Sequence, residues 1–215
     1  MMTLEDLQKD VRSCVESHYP IIHLVTFEEE DADRLIKNIS DGRKTLEWNM
    51  ARGCVHFDSK APLMIEYRDL ASALDNWLDQ DLDNHFLVIK DAGSALRDNP
   101  NNPNNPLAVA RLKALANRIV YRDTYATIFL VAPQSIVPPE IEKFITIFEP
   151  SPPEEEDIRR LIHEYSRRSH VDDGVVARLI TAFRGLSRYE ITRLLNRGYQ
   201  RDGVIGEDDI ALAKE

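Results

Sequence analysis

Phe86-Leu87-Val88-Ile89 is an unbroken apolar run that ends on Lys90 and Asp91. A run this short, with no polar residue at every second position, fits a strand buried on both faces. Such strands belong to parallel sheets covered by helices on either side. Two further runs share the character: Ile21-Ile22-His23-Leu24-Val25-Thr26-Phe27 after Pro20, and Thr127-Ile128-Phe129-Leu130-Val131-Ala132 before Pro133. Helical periodicities stand between them. Ala32, Leu35, Ile36 and Ile39 share one face, and so do Leu70, Leu74, Trp77 and Leu78. Leu107, Ala110, Leu112, Leu115, Ala116 and Ile119 make a longer helix. Strands alternating with helices imply right-handed βαβ units and an α/β fold with a parallel sheet. The shorter runs Thr45-Leu46-Glu47-Trp48 and Ile145-Thr146-Ile147-Phe148 bring the expected count to five strands. Residues 49–64 show no clear period, and Ala51-Arg52-Gly53 reads as a loop. The Asn/Pro-rich stretch 98–106 has no means of burying apolar area and reads as a low-complexity loop.

Pro150-Ser151-Pro152-Pro153 marks the best domain boundary, giving a core over 1–150 and a helical subdomain over 151–215. Beyond the boundary only helical patterns follow. Ile158, Leu161, Ile162 and Tyr165 sit at i, i+3, i+4 and i+7, and Val175, Val176, Leu179, Ile180 and Phe183 make a second face. Ser187 and Glu190 form a capping box for a third helix, with Ile191, Leu194 and Leu195 inward. Gly206-Glu207-Asp208-Asp209 opens a fourth. The net charge of −10 disfavours a broad nucleic-acid surface. Cys14 and Cys54, without a CxxC pattern, read as free thiols in a reducing compartment. The N-terminus lacks the regions of a signal peptide, and the apolar runs are too short to span a bilayer. A soluble, cytoplasmic chain without a membrane partner is expected.

An aspartate at the tip of a central strand sits where open α/β sheets bind ligands. The order of elements resembles an AAA+ module, and 86–91 looks like its Walker B strand, with Asp91 in the place of the Mg²⁺-side carboxylate. The stretch 21–27 is placed like the strand before the phosphate loop. The stretch 127–132 with Pro133-Gln134 resembles the sensor-1 strand, and Gly185-Leu186-Ser187-Arg188 resembles the start of the sensor-2 helix. This resemblance implies a five-stranded parallel P-loop NTPase-like core of strand order 5-1-4-3-2, followed by an all-α lid. One branch fits best: the cyanobacterial and plastid AAA-family ATPases of the hypothetical chloroplast reading frame forty-six type. They begin similarly to Tyr19-Pro20 and Thr26-Phe27-Glu28-Glu29-Glu30, with a degenerate module first and an intact ATPase module second. That family's layout implies an ATPase half beyond Glu215.

The departures from the resemblance decide the expected function. Ala92 stands where the water-positioning Glu follows the Walker B Asp. GxxxxGK[ST] occurs nowhere. Glu28, Glu29, Glu30 and Asp31 occupy the phosphate-loop position, where each carboxylate opposes a phosphate charge by roughly 4 kcal/mol per unit pair at close range and an effective dielectric of about 20. The arginine-finger position offers Lys143. The expected function is a catalytically inactive AAA+-like module for oligomerisation or partner recognition. This chain then carries no catalytic, cofactor-binding or metal-binding residue, and ATP and Mg²⁺ belong to the other half of the parent protein. Its partners would be itself, another AAA+ module or an unidentified protein. The alternative is a clamp-loader-like subunit without ATPase activity that assists DNA replication, against which the net charge argues.

Asp91 then reads as a relic or a helix-capping carboxylate in an acidic crevice, and the acidic run 28–31 as a dipole-matched helix start or a dock for a basic partner. Arg193, Arg197 and Arg201 at i, i+4 and i+8 are either an ordinary basic face or a contact for an acidic neighbour. Arg188 matches the sensor-2 neighbourhood.

Overall fold

The structure is a computed structural model that describes residues 4–63, 67–97, 105–122, 124–166, 170–171, 173–202 and 204–205. Most of the Asn/Pro-rich stretch, 98–104, and the expected fourth helix at 206–215 lie outside these residues. The chain divides into two compact units that part between Pro150 and Ser151.

The first unit is built on β1 (Ile21–Val25), β2 (Lys44–Asn49), β3 (Gly53–His56), β4 (His85–Lys90), β5 (Ala126–Ala132) and β6 (Ile145–Phe148). Their order across the sheet is β3-β2-β4-β5-β1-β6. All neighbours are parallel except β2 and β3, which pair antiparallel from Leu46↔His56 to Asn49↔Gly53. Count and order therefore differ from the expected five strands, because β3 adds an antiparallel edge strand beyond β2. Its signal is weak for a physical reason: β3 is four residues long and starts on glycine. Gly53 has φ +72, and a Cβ there would stand 2.6 Å from the Tyr67 carbonyl oxygen, so the turn into β3 requires glycine.

Strand alternation divides the core between the two sheet faces. Phe86 and Val88 of β4, with Phe129 and Val131 of β5, pack on one face beside residues of α1 (Leu4–Glu16) and α2 (Glu29–Ile39). Leu87, Ile89, Ile128 and Leu130 face the other way, onto α3 (Leu70–Leu78) and α5 (Asn105–Tyr121). Each such fully buried side chain contributes about 1.5–3 kcal/mol relative to exposure. This two-faced burial is what the unbroken apolar runs require.

The second unit holds α6 (Glu155–Ser166), α7 (Asp173–Phe183) and α8 (Arg188–Asp202), packed around Ile158, Ile162, Leu179, Phe183, Ile191 and Leu195. The capping box forms: Ser187 N–H donates to Glu190 Oε2 at 2.8 Å, and Glu190 N–H donates to Ser187 Oγ at 3.2 Å. The unit is not all-α. The two-residue strands β7 (His170–Val171) and β8 (Val204–Ile205) pair in parallel, and two residues are too few to show a period.

Candidate functional site at the carboxyl end of the sheet

The chain turns from β1 into α2 through Thr26, Phe27 and Glu28 alone. Thr26 N–H donates to the Ala132 carbonyl of β5 at 2.9 Å. Glu28 N–H donates to Thr26 Oγ1 at 3.0 Å, and Glu29 N–H to the Phe27 carbonyl at 3.2 Å. The N–H groups of Thr26, Glu28 and Glu29 are thus bonded within the chain. Helix α2 carries Glu29, Glu30 and Asp31 in its first turn, where carboxylates suit the helix dipole, and Asp31 pairs with Arg34 at 2.8 Å.

Glu29 has a more consequential partner. Lys90, the last residue of β4, is only 4% exposed. Its ammonium lies 2.9 Å from both carboxylate oxygens of Asp33, 3.3 Å from Glu29 and 3.8 Å from Glu47. Glu47, on β2, is 2% exposed and also accepts from Asn49 Nδ2 at 3.1 Å. Lys60 closes the group: it pairs with Asp33 at 2.8 Å and with Glu47, and lies over the Phe57 ring. Burial alone would depress the Lys90 ammonium. The hydrogen bond that Lys90 donates to Asp33 and the charges of Asp33, Glu47 and Glu29 more than offset that, and hold its pKa above the ordinary lysine value. One acid of the helix start, Glu29, is thus paired from within by a lysine of the neighbouring strand.

Asp91, one residue on, lines a separate place. A cleft of ≈ 840 Å³ opens past the ends of β4 and β5, lined among others by Met50, Asp91, Arg97, Pro133, Gln134 and Ile136. The Asp91 backbone is left-handed, φ 56, a conformation that aspartate tolerates better than most residues. The residue capping the short helix α4 (Gly93–Leu96) is Ala92, with no side-chain cap bond. Asp91 is therefore not a capping carboxylate; it is exposed at the cleft. Arg97 Nη2 donates to Gln134 Oε1 at 2.5 Å.

His23 fixes one wall of this cleft. It is fully buried on β1, its Nδ1 lies 3.0 Å from the Leu130 carbonyl, and its Nε2 accepts the Ile136 N–H at 3.1 Å. The pair of contacts places the ring proton on Nδ1. Burial pushes the His23 pKa below the ordinary histidine value.

The structure does not assemble the acidic crevice expected from sequence. Glu28, Glu29, Glu30 and Asp31 are absent from the described lining of the cleft, which Asp91 shares with Arg97 and Gln134. Lys143 is exposed on a 3₁₀ turn, Pro139–Phe144. Arg188, Arg193, Arg197 and Arg201 lie on α8 in the second unit, with Arg193 5.6 Å over the Tyr189 ring. Among the described residues no group of three or more His, Cys, Asp or Glu is placed to hold a metal, and no helix is long and apolar enough to cross a membrane. Sequence reasoning missed Asp33, Glu47, Lys60, Lys90 and His23. A lysine ending an apolar strand and a histidine inside one are visible signals, because a buried polar group must find a partner.

Comparison with known proteins places these features in a lineage. A chain in the structure described as "Structure of E. coli MS115-1 HORMA:CdnC:Trip13 complex" superposes with a TM-score of 0.69 at 12% identity, covering 100% of this chain and 88% of that one, which shows a shared fold. None of the curated proteins matches. Residues 7–150 match the SpoVK-like AAA ATPase N-terminal domain, and residues 155–214 match the second domain of the same family. The chain belongs to the SpoVK-like AAA ATPases, of which it carries the N-terminal and second domains.

Proposed function

We propose that this chain is a non-catalytic AAA+-like module that serves oligomerisation or partner recognition, while ATP and Mg²⁺ act at another module of the parent ATPase. The carrying observation is the turn from β1 to α2. Three residues without a glycine, with the Thr26 and Glu28 N–H groups already bonded, leave no loop to wrap a phosphate. The Lys90 ammonium is engaged by Asp33, Glu29 and Glu47, and Ala92 supplies no water-positioning carboxylate. A partner-facing role also suits the structural neighbour, whose description names a complex with HORMA and CdnC.

The cyanobacterial and plastid branch is the finer placement, on Tyr19-Pro20 and Thr26-Phe27-Glu28-Glu29-Glu30, and a cytoplasmic location goes with it. The second unit acts as the lid of the module. Titration with ATP and Mg²⁺ by calorimetry, with phosphate release followed in parallel, is the test. The expected outcome is no saturable heat up to millimolar ATP and no turnover. Micromolar binding with turnover sinks the reading.

A further inference from the structure

We infer that the cleft past β4 and β5 is a docking site for a lysine or arginine side chain of a peptide partner, with Asp91 as its counter-charge. The inference rests on the reading that this cleft does not serve ATP. Three observations carry it. Asp91 is exposed at the cleft, and among the described residues no hydrogen bond or ion pair engages its carboxylate. Every described carboxylate of the neighbouring buried group, by contrast, is bound by Lys90 or Lys60. Arg97, which shares the lining, forms no ion pair with Asp91 among the described residues; its guanidinium donates to Gln134.

The walls supply the second half of the fit. Met50, Pro133 and Ile136 are apolar, and a basic side chain is an apolar stem with a charged head. The volume of ≈ 840 Å³ is more than one such side chain fills, so flanking backbone enters with it. The Arg97–Gln134 pair at the cleft offers donors to that backbone's carbonyl groups. The surrounding field has the right sign: residues 1–150 hold 24 acids against 16 bases.

The wall is also held in place before any peptide arrives. His23 ties Ile136 N–H to β1, and Thr26 ties β1 to Ala132. Asp91 is held at the tip of β4 in its left-handed conformation. A site of this kind needs little ordering on binding.

The test uses the full chain, ¹⁵N-labelled, titrated with a blocked pentapeptide carrying one central lysine among alanines. Parallel titrations use the same peptide with norleucine or glutamate at the centre, and ATP with Mg²⁺. The lysine peptide is expected to give saturable shifts at the amides of Asp91, Gly93, Ser94 and Gln134, and the norleucine and glutamate peptides none. Asp91→Asn, which keeps a residue suited to left-handed backbone, is expected to weaken the lysine peptide by about tenfold or more. Ala51→Trp, which crowds the cleft from an exposed position, is expected to weaken it while leaving the thermal melt unchanged. Equal shifts with norleucine, an unaffected Asp91→Asn, or no saturation with lysine each overturn the proposal. Shifts with ATP confined to residues 26–29 overturn the non-nucleotide reading instead, and leave the peptide result to be judged by its own arm.

Discussion

Replacing Lys90 with methionine leaves the carboxylates of Asp33 on α2 and Glu47 on β2 with Lys60 alone. Stranding charge in this way costs about 3–5 kcal/mol. Urea unfolding of Lys90→Met is expected to show a loss of that order, and the triple variant Lys90→Met, Asp33→Asn, Glu47→Gln to recover part of it; an unchanged midpoint would refute the network's role. His23 sets a pH dependence. Its folded pKa lies below the unfolded value of about 6.5, so its contribution is present above that pH and is lost as pH falls through the folded value. The wild-type melting temperature should therefore fall more steeply between pH 7 and pH 5 than that of His23→Gln. Gly53→Ala is expected to cost on the order of 2 kcal/mol or more, since left-handed strain adds to a contact with the Tyr67 carbonyl. None of these three roles is legible from residue type alone. Lys90 reads as a strand end, His23 as one more strand residue and Gly53 as loop, because their partners come from 57, 107 and 14 positions away.

At the scale of elements the sequence was more informative. The apolar runs at 86–89 and 127–132 named β4 and β5, because burial on both faces removes polar residues from both alternating sets. The Ser187–Glu190 box named the start of α8 for an equally local reason: its bonds span three residues. Ser187→Ala is expected to lower stability by about 1 kcal/mol, read as an earlier loss of helical circular dichroism on heating. Glu190→Gln, which can still reach back to the Ser187 N–H, is expected to cost less. What stayed illegible was β3, β7 and β8, each of four residues or fewer. Pairing with a neighbour defines such strands, and the antiparallel β3 exists because Gly53 turns the chain back along β2.

At the scale of the molecule, the unit ending at Pro150 has a core on each sheet face, built from its own residues. A fragment of residues 1–150 is therefore expected to fold alone with a cooperative melt, and hydrogen exchange in β4 and β5 to match the full chain; a molten fragment would show that the division is not one of stability. That a sheet with interleaved helices is followed by further helices was readable from the order of elements. The candidate site was not, since a cleft is made by strand ends from distant parts of the chain. The turn of Thr26, Phe27 and Glu28 has one more consequence. A phosphate loop needs a motif of about eight residues with its glycines and lysine. A loop of that length would have to unwind the start of α2, where Glu29 pairs with Lys90. On the reading proposed above, a nucleotide at this turn would therefore require both a longer loop and several charge changes together.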